Sequence, residues 1–145
     1  GRKGLDWKLF ESNVVRFLPY ISTFSIVNSV YSISSNHELI SWIKSLNKTF
    51  NITNLVHPSH LSASILNSET KKYILSQYNT FLKSNRNTLN SYEINIILDS
   101  LKHMKLNDDI SLDKKFKEYN LKLDLYRNES FESIYPEFAK WYRNI

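Results

Sequence analysis

The chain holds two glycines, at positions 1 and 4, and none after that. Glycine is the residue that enters left-handed backbone without steric cost. Every later turn must therefore be built from Asn, Asp, Ser or Pro. Glycine-rich loops that cradle phosphates are excluded for the same reason. Cysteine is absent altogether. Disulfides, thiolate zinc sites, Cys nucleophiles and Cys-ligated iron–sulfur clusters are thus excluded within this chain.

A length of 145 residues fits one domain with a core that needs no staples. Hydrophobic residues at 41% against 23% charged argue against disorder. No apolar run is long enough to span a membrane. Gly1-Arg2-Lys3-Gly4 is not followed by an apolar segment that reads as a secretory signal, so a cytoplasmic location is expected. The Asn-x-Ser/Thr sequons at Asn47, Asn51 and Asn128 then read as chance.

The formal charge of +5 raises nucleic-acid binding, but its distribution argues against it. Residues 1–100 carry ten of the 19 Lys/Arg and six of the 14 Asp/Glu, which leaves nine against eight for residues 101–145. The densest run, Lys114-Lys115-Phe116-Lys117, is flanked by Asp113 and Glu118. A phosphate-tracking surface needs basic groups gathered on one face, and none is visible. No nucleic-acid partner is expected on this ground.

Asp6 is placed to cap a helix carrying Trp7, Phe10, Val14, Phe17 and Leu18, ending at Pro19. The period then changes. Phe24, Ile26 and Val30 alternate with Val27, Tyr31 and Ile33, as in a strand covered on both faces. Asn28 interrupts one face. It is either a polar group aimed at a ligand or a hydrated strand end. Ser35 and Glu38 form the pattern of a capping box before a helix of about 13 residues with Leu39, Ile40, Ile43, Leu46 and Phe50 on its stripe. Residues 51–54 read as a turn and Leu55-Val56-His57 as a second short strand ended by Pro58. Strand, helix and strand make a βαβ unit with parallel strands.

Everything after residue 60 is helical in pattern. Ser68 and the pair Asn90/Glu93 read as caps, Asn107-Asp108-Asp109 as a break, Ser111 or Asp113 as a further helix start, and Pro136 as a first-turn residue. The expected fold is α/β: a short parallel βαβ unit over residues 1–60 and a helical C-terminal extension over 61–145, in one domain. A two-stranded sheet leaves both edges unpaired, so self-association through those edges is expected.

No catalytic set stands out. His57 and His60 flank Pro58 without a carboxylate partner and read as surface or strand-end residues. His37 falls in a helix first turn and His103 on a solvated helix. Asp108-Asp109 read as turn residues, and Asp124 with Arg127 as a local ion pair. The helical spacing of the aromatics favours core packing over base stacking.

Three segments together resemble radical S-adenosylmethionine proteins. Arg2-Lys3-Gly4-Leu5-Asp6-Trp7 followed by Asn13-Val14-Val15 resembles the stretch after the fourth barrel strand. The run from Phe24 through Ser35 to Asn36 resembles the fifth strand and the Asn that opens the next helix. Asp124-Leu125-Tyr126-Arg127, then Pro136-Glu137-Phe138, resembles the ending of twitch-domain members, many of them phage-like. Pro58 and Lys72 fall where that subgroup places a Pro after a strand and a Lys at a helix start.

The resemblance implies a segment of a partial barrel from the C-terminal portion of such an enzyme. The family's cofactors are S-adenosylmethionine and a 4Fe–4S cluster held by a Cys-x-x-x-Cys-x-x-Cys motif. This chain has neither that motif nor auxiliary-cluster cysteines, so no catalytic residue, no metal ligand and no cofactor of its own is expected. By position in the family, Asn28, Ser32, Asn36 and His57 are the candidates for lining the cofactor cleft. Strand-end hydration or helix capping is the plainer role for each. The resemblance implies a scaffold or interaction module whose partner is a missing N-terminal half. The competing expectation is an independent basic helical protein that binds another protein or nucleic acid.

Overall fold

The computed structural model describes residues 6–106 and 109–145. Helix α1 (Trp7–Phe17) is followed by a 3-10 turn, strand β1 (Thr23–Asn28), helix α2 (Asn36–Ser45) and strand β2 (Thr49–Asn54). Two 3-10 turns lead into α3 (Ser68–Ser84) and α4 (Ser91–Leu106). Then come α5 (Asp113–Arg127), the short α6 (Phe131–Ile134), and α7 (Ala139–Arg143) entered through a 3-10 turn at Pro136–Phe138. The strands pair in parallel from Thr23 opposite Thr49 to Asn28 opposite Asn54. This is the α/β fold expected: a short parallel βαβ unit with a helical C-terminal region.

The boundaries differ from the sequence reading, for identifiable reasons. β1 ends at Asn28, so Val30, Tyr31 and Ile33 are not strand residues. The hydroxyl of Ser32 takes over there. It donates to the Val27 carbonyl at 2.6 Å and accepts from the Ser29 amide at 3.1 Å, drawing the chain into turns. Val30 and Ile33 are nevertheless fully buried. The second strand covers 49–54 rather than 55–57, and residues 51–54 are extended. Phe50 belongs to this strand, not to the α2 stripe. The turn lies earlier, at Asn47, which adopts left-handed backbone with φ 56°. The Lys48 amide donates to the Ile43 carbonyl and the Asn47 amide to that of Lys44, a Schellman closure with Asn in the place glycine usually takes.

Only one face of the sheet is covered. Ile26, Asn28 and Phe50 are buried, with Phe24 packed edge-on to Trp42 of α2. Thr23, Ser25 and Val27 of β1 and Thr49, Asn51 and Thr53 of β2 are all exposed. The expectation of a strand covered on both sides is therefore corrected. Of the apolar side chains that suggested a second covered face, Val27 is exposed, and Tyr31 and Ile33 lie beyond the strand.

Capping is partly as expected. The Asp6 carboxylate accepts from the Leu9 amide at 3.1 Å. Ser35 does not cap α2; its hydroxyl donates back to the Ser32 carbonyl. Asn67, one residue before the expected Ser68, caps α3 by accepting from the Thr70 amide at 2.9 Å. Asn90 and Glu93 form the reciprocal box: each side chain accepts from the other's amide, at 2.8 and 3.1 Å. Helix α5 starts at Asp113, while Asn107 and Asp108 of the expected break lie outside the described residues.

One hydrophobic cluster runs from Ile26 to Tyr142, so the strands and the C-terminal helices share a core. Its C-terminal part is aromatic. Phe116 is fully buried among Tyr31, Phe131, Trp141 and Tyr142. Among the described residues no helix is long and apolar enough to cross a membrane.

Helix α4 is joined to α2 by an ion pair between Lys44 Nζ and Glu93 at 2.9 Å, with the Glu93 side chain 2% exposed. Glu93 therefore both caps α4 and neutralises a half-buried ammonium. Glu93→Ala is expected to lower stability by about 3 kcal/mol in urea unfolding, because it uncaps a helix and strands a charge. Glu93→Gln, which keeps an acceptor for the Asn90 amide, is expected to cost less.

Candidate functional site

Ligands of parallel α/β sheets bind beyond the carboxyl ends of the strands. Here that end carries a closed set of neutral polar groups. Asn28, the last residue of β1, donates from Nδ2 to the Ser100 hydroxyl on α4. Ser100 in turn donates to Asn54 Oδ1 at 2.6 Å. Asn36, at the start of α2, donates from Nδ2 to Asn28 Oδ1 at 2.5 Å and to the Val27 carbonyl at 3.1 Å. Ser32 adds a weaker acceptor for the same amide, at 3.4 Å. Asn28, Asn36 and Ser100 are all buried.

Three of the four residues singled out in the sequence, Asn28, Ser32 and Asn36, are thus brought together. His57 shares no hydrogen bond with them and is exposed. Two further members, Asn54 and Ser100, are added by the structure. Asn54 was hidden because its strand was read as a turn. Ser100 had a legible signal: it lies three residues after Ile97 and four before Met104, on the buried stripe of α4.

These groups offer amides and hydroxyls and no charge. Asn28, Asn36 and Ser100 already donate to acceptors inside the protein, so the cluster acts first as a polar lock between β1, β2, α2 and α4. The residues around it do not fit an iron–sulfur cluster, since the chain has no thiolate to offer. Among the described residues no group of three His, Asp or Glu side chains could hold a metal ion.

The C-terminal motif residues hold the same region from the other side. The Ser34 hydroxyl donates to Glu137 at 2.7 Å, which ties the Pro136–Phe138 turn to the loop after β1. The Asp124 carboxylate accepts from the Phe131 amide at 3.0 Å and so fixes the start of α6. Tyr31, in the loop after β1, donates to Asn120 Oδ1 at 2.9 Å. Burial pushes its phenol well above the ordinary tyrosine range, with the Asn120 bond opposing that shift in part.

His60 departs from expectation. It is buried, and neither ring nitrogen has a hydrogen-bond partner. Its ring meets Tyr119 of α5 edge-on, with centroids 5.2 Å apart. The surface reading of the His57/His60 pair therefore holds for His57 alone. Nearby, Ser62 and Ser64 share a hydrogen bond at 2.8 Å and Ser64 donates to Asp109 at 2.9 Å. Because His60 bonds to neither serine, the hydroxyl–carboxylate chain has no imidazole base beside it. His37 lies in the first turn of α2 as expected, with its ring against Tyr78 and Phe81.

No protein-family model matches the chain, and neither does any curated protein or solved structure.

Two outcomes follow from these contacts. Asn28→Ala leaves the Asn36 amide and the Ser100 hydroxyl without their buried partner, and is expected to cost about 2 kcal/mol by urea unfolding. Burial, and then the charge of Lys115, hold the His60 pKa below its usual value. Protons are then taken up by the unfolded chain more readily than by the folded one. This contribution to stability is complete above the unfolded histidine pKa of about 6.5 and is lost as pH falls below it. Urea midpoints at neutral and mildly acidic pH should separate more for the wild type than for His60→Leu.

Proposed function

We propose that this chain is the C-terminal part, or a degenerate homologue, of a radical S-adenosylmethionine enzyme of the twitch-domain, phage-like kind. By itself it acts as a catalytically silent scaffold or interaction module. The observation that carries this reading is the one-sided sheet. In a barrel the helices stand outside and the opposite sheet face looks inward. Here α2 packs on one face, α1 meets α2 through Trp7 and Trp42, and the other face is open. That open face carries Thr23, Ser25, Thr49, Asn51 and Thr53 around one exposed apolar side chain, Val27, a mostly polar lining suited to an enclosed cleft. The Asn28, Ser32 and Asn36 cluster lies at the carboxyl end of the strands, the end at which the family holds its cofactor, with Asn28 on the covered side.

In this reading the unpaired strand edges receive the strands of an N-terminal half or, in its absence, a second copy. The parent enzyme would supply the cysteines, the 4Fe–4S cluster and the bound S-adenosylmethionine. A cytoplasmic site of action goes with it, because the thiolates of such a cluster are kept reduced there.

A second reading has one observation in its favour. Leu125 and Tyr126 on α5 are 86% and 89% exposed, and Leu121 precedes them by one turn on the same face. An independent basic helical protein would use such a face to bind another protein. Its nucleic-acid variant predicts filter binding with a steep salt dependence.

Two measurements test the leading reading. Anaerobic reconstitution with iron and sulfide is expected to leave this chain colourless, and stable cluster uptake would overturn its silence. The genomic frame upstream of Gly1 is expected to encode three clustered cysteines. A stop codon there, with no cysteine-bearing frame, would sink the fragment reading and leave the degenerate homologue.

A further inference from the structure

On the helical side of the sheet, away from the open face, α1 and α2 enclose a cleft of about 470 Å³. Its walls are Trp7, Leu39 and Trp42, and its polar groups are Ser35, Asn36 and Glu38. The two indoles meet at 64° with centroids 5.2 Å apart, forming a corner rather than a stack. Phe10, outside the cleft lining, braces both indoles, 5.3 Å from Trp7 and 6.0 Å from Trp42. Trp42 is held in place by its indole N–H, which donates to Glu11 at 3.1 Å. The aromatic surface is therefore preorganised and edged by a carboxylate.

The charge in the cleft is negative. Among the described residues the Glu38 carboxylate has no ion-pair or hydrogen-bond partner. Among the described residues no Lys or Arg lines the cleft. Two amides at the start of α2 are already engaged within the chain. Asn36 donates its amide to the Ser32 carbonyl at 2.9 Å, and Glu38 donates its own to Ser35 at 3.0 Å. The chain's net charge of +5 acts weakly here, because charges beyond roughly 8 Å are screened at physiological salt.

Aromatic faces at an angle, a free carboxylate and no competing cation are the features that select an alkylated ammonium ion. The ring faces attract its positive charge and its methyl groups fill the apolar corner, while a hydrated inorganic cation would lose water without compensation. We propose that the Trp7–Trp42–Glu38 cleft binds a small quaternary ammonium compound. This assignment does not rest on the barrel reading, although Asn36 belongs both to the cleft lining and to the cluster at the strand ends.

The test uses the full chain and choline as the probe, with 3,3-dimethylbutan-1-ol as its uncharged isostere at matched ionic strength. The indole N–H resonances of Trp7 and Trp42 report binding. Choline is expected to shift them saturably, and the isostere to bind about ten-fold more weakly. Glu38→Gln and Trp7→Leu, both at exposed positions, are each expected to weaken choline about five-fold. Equal binding of choline and its isostere would reduce the cleft to an apolar groove and overturn the proposal. So would choline shifts that do not saturate.

Discussion

A parallel pair of strands cannot be closed by a tight turn, and this constraint organises the molecule. The chain leaves β1, crosses through α2 and returns to start β2 in register, and the crossover helix becomes the first cover of the sheet. With only two strands the sheet cannot enclose anything. Its apolar face needs further helices, and α4 supplies them along β2 and α2, held by the Lys44–Glu93 pair. The rest of the fold completes that cover. The core has no separate centre in the C-terminal half but continues from Ile26 into the aromatic group around Phe116.

The polar cluster at the strand ends has a clear physical role whatever ligand approaches it. Buried amides are costly unless every donor finds an acceptor, and here Asn36, Asn28, Ser100 and Asn54 hand hydrogen bonds from one to the next. An apolar contact tolerates sliding of one element on another. A chain of three directional bonds does not. It sets how α2 and α4 stand relative to the strand ends and makes that end of the sheet rigid. The open face beside it, with four hydroxyls, the Asn51 amide and Val27, is thereby presented as a fixed surface.

Much of this was legible in the sequence where local chemistry decides. Asp6 and the Asn90/Glu93 box cap their helices, and the shortage of glycine foretells asparagine in left-handed backbone, as at Asn47 and Asn128, although neither position was itself marked as a turn. Legibility failed where tertiary packing decides. Val30 and Ile33 are as buried as strand residues but sit in turns, so their apolar character was mistaken for period-two alternation. Phe50 fits a helical stripe by spacing, yet the Schellman closure at Asn47 ends the helix first. Of the site, Asn28, Ser32 and Asn36 could be marked through the family resemblance, by their place along and after its fifth strand. Asn54 became visible only with the register, and Ser100 only with the packing of α4. The burial of His60 depends on α5, more than 50 residues later in the chain, and has no local signature.

The contact between Ser34 and Glu137 joins the loop after the first strand to a turn near the far end of the chain. Tyr31, in the same loop, lies against Phe116, Phe131 and Tyr135. Peeling away the last helices would therefore expose the loop that shapes the strand terminus. Damage at one segment is thereby felt at the other, across a separation of 103 positions in sequence.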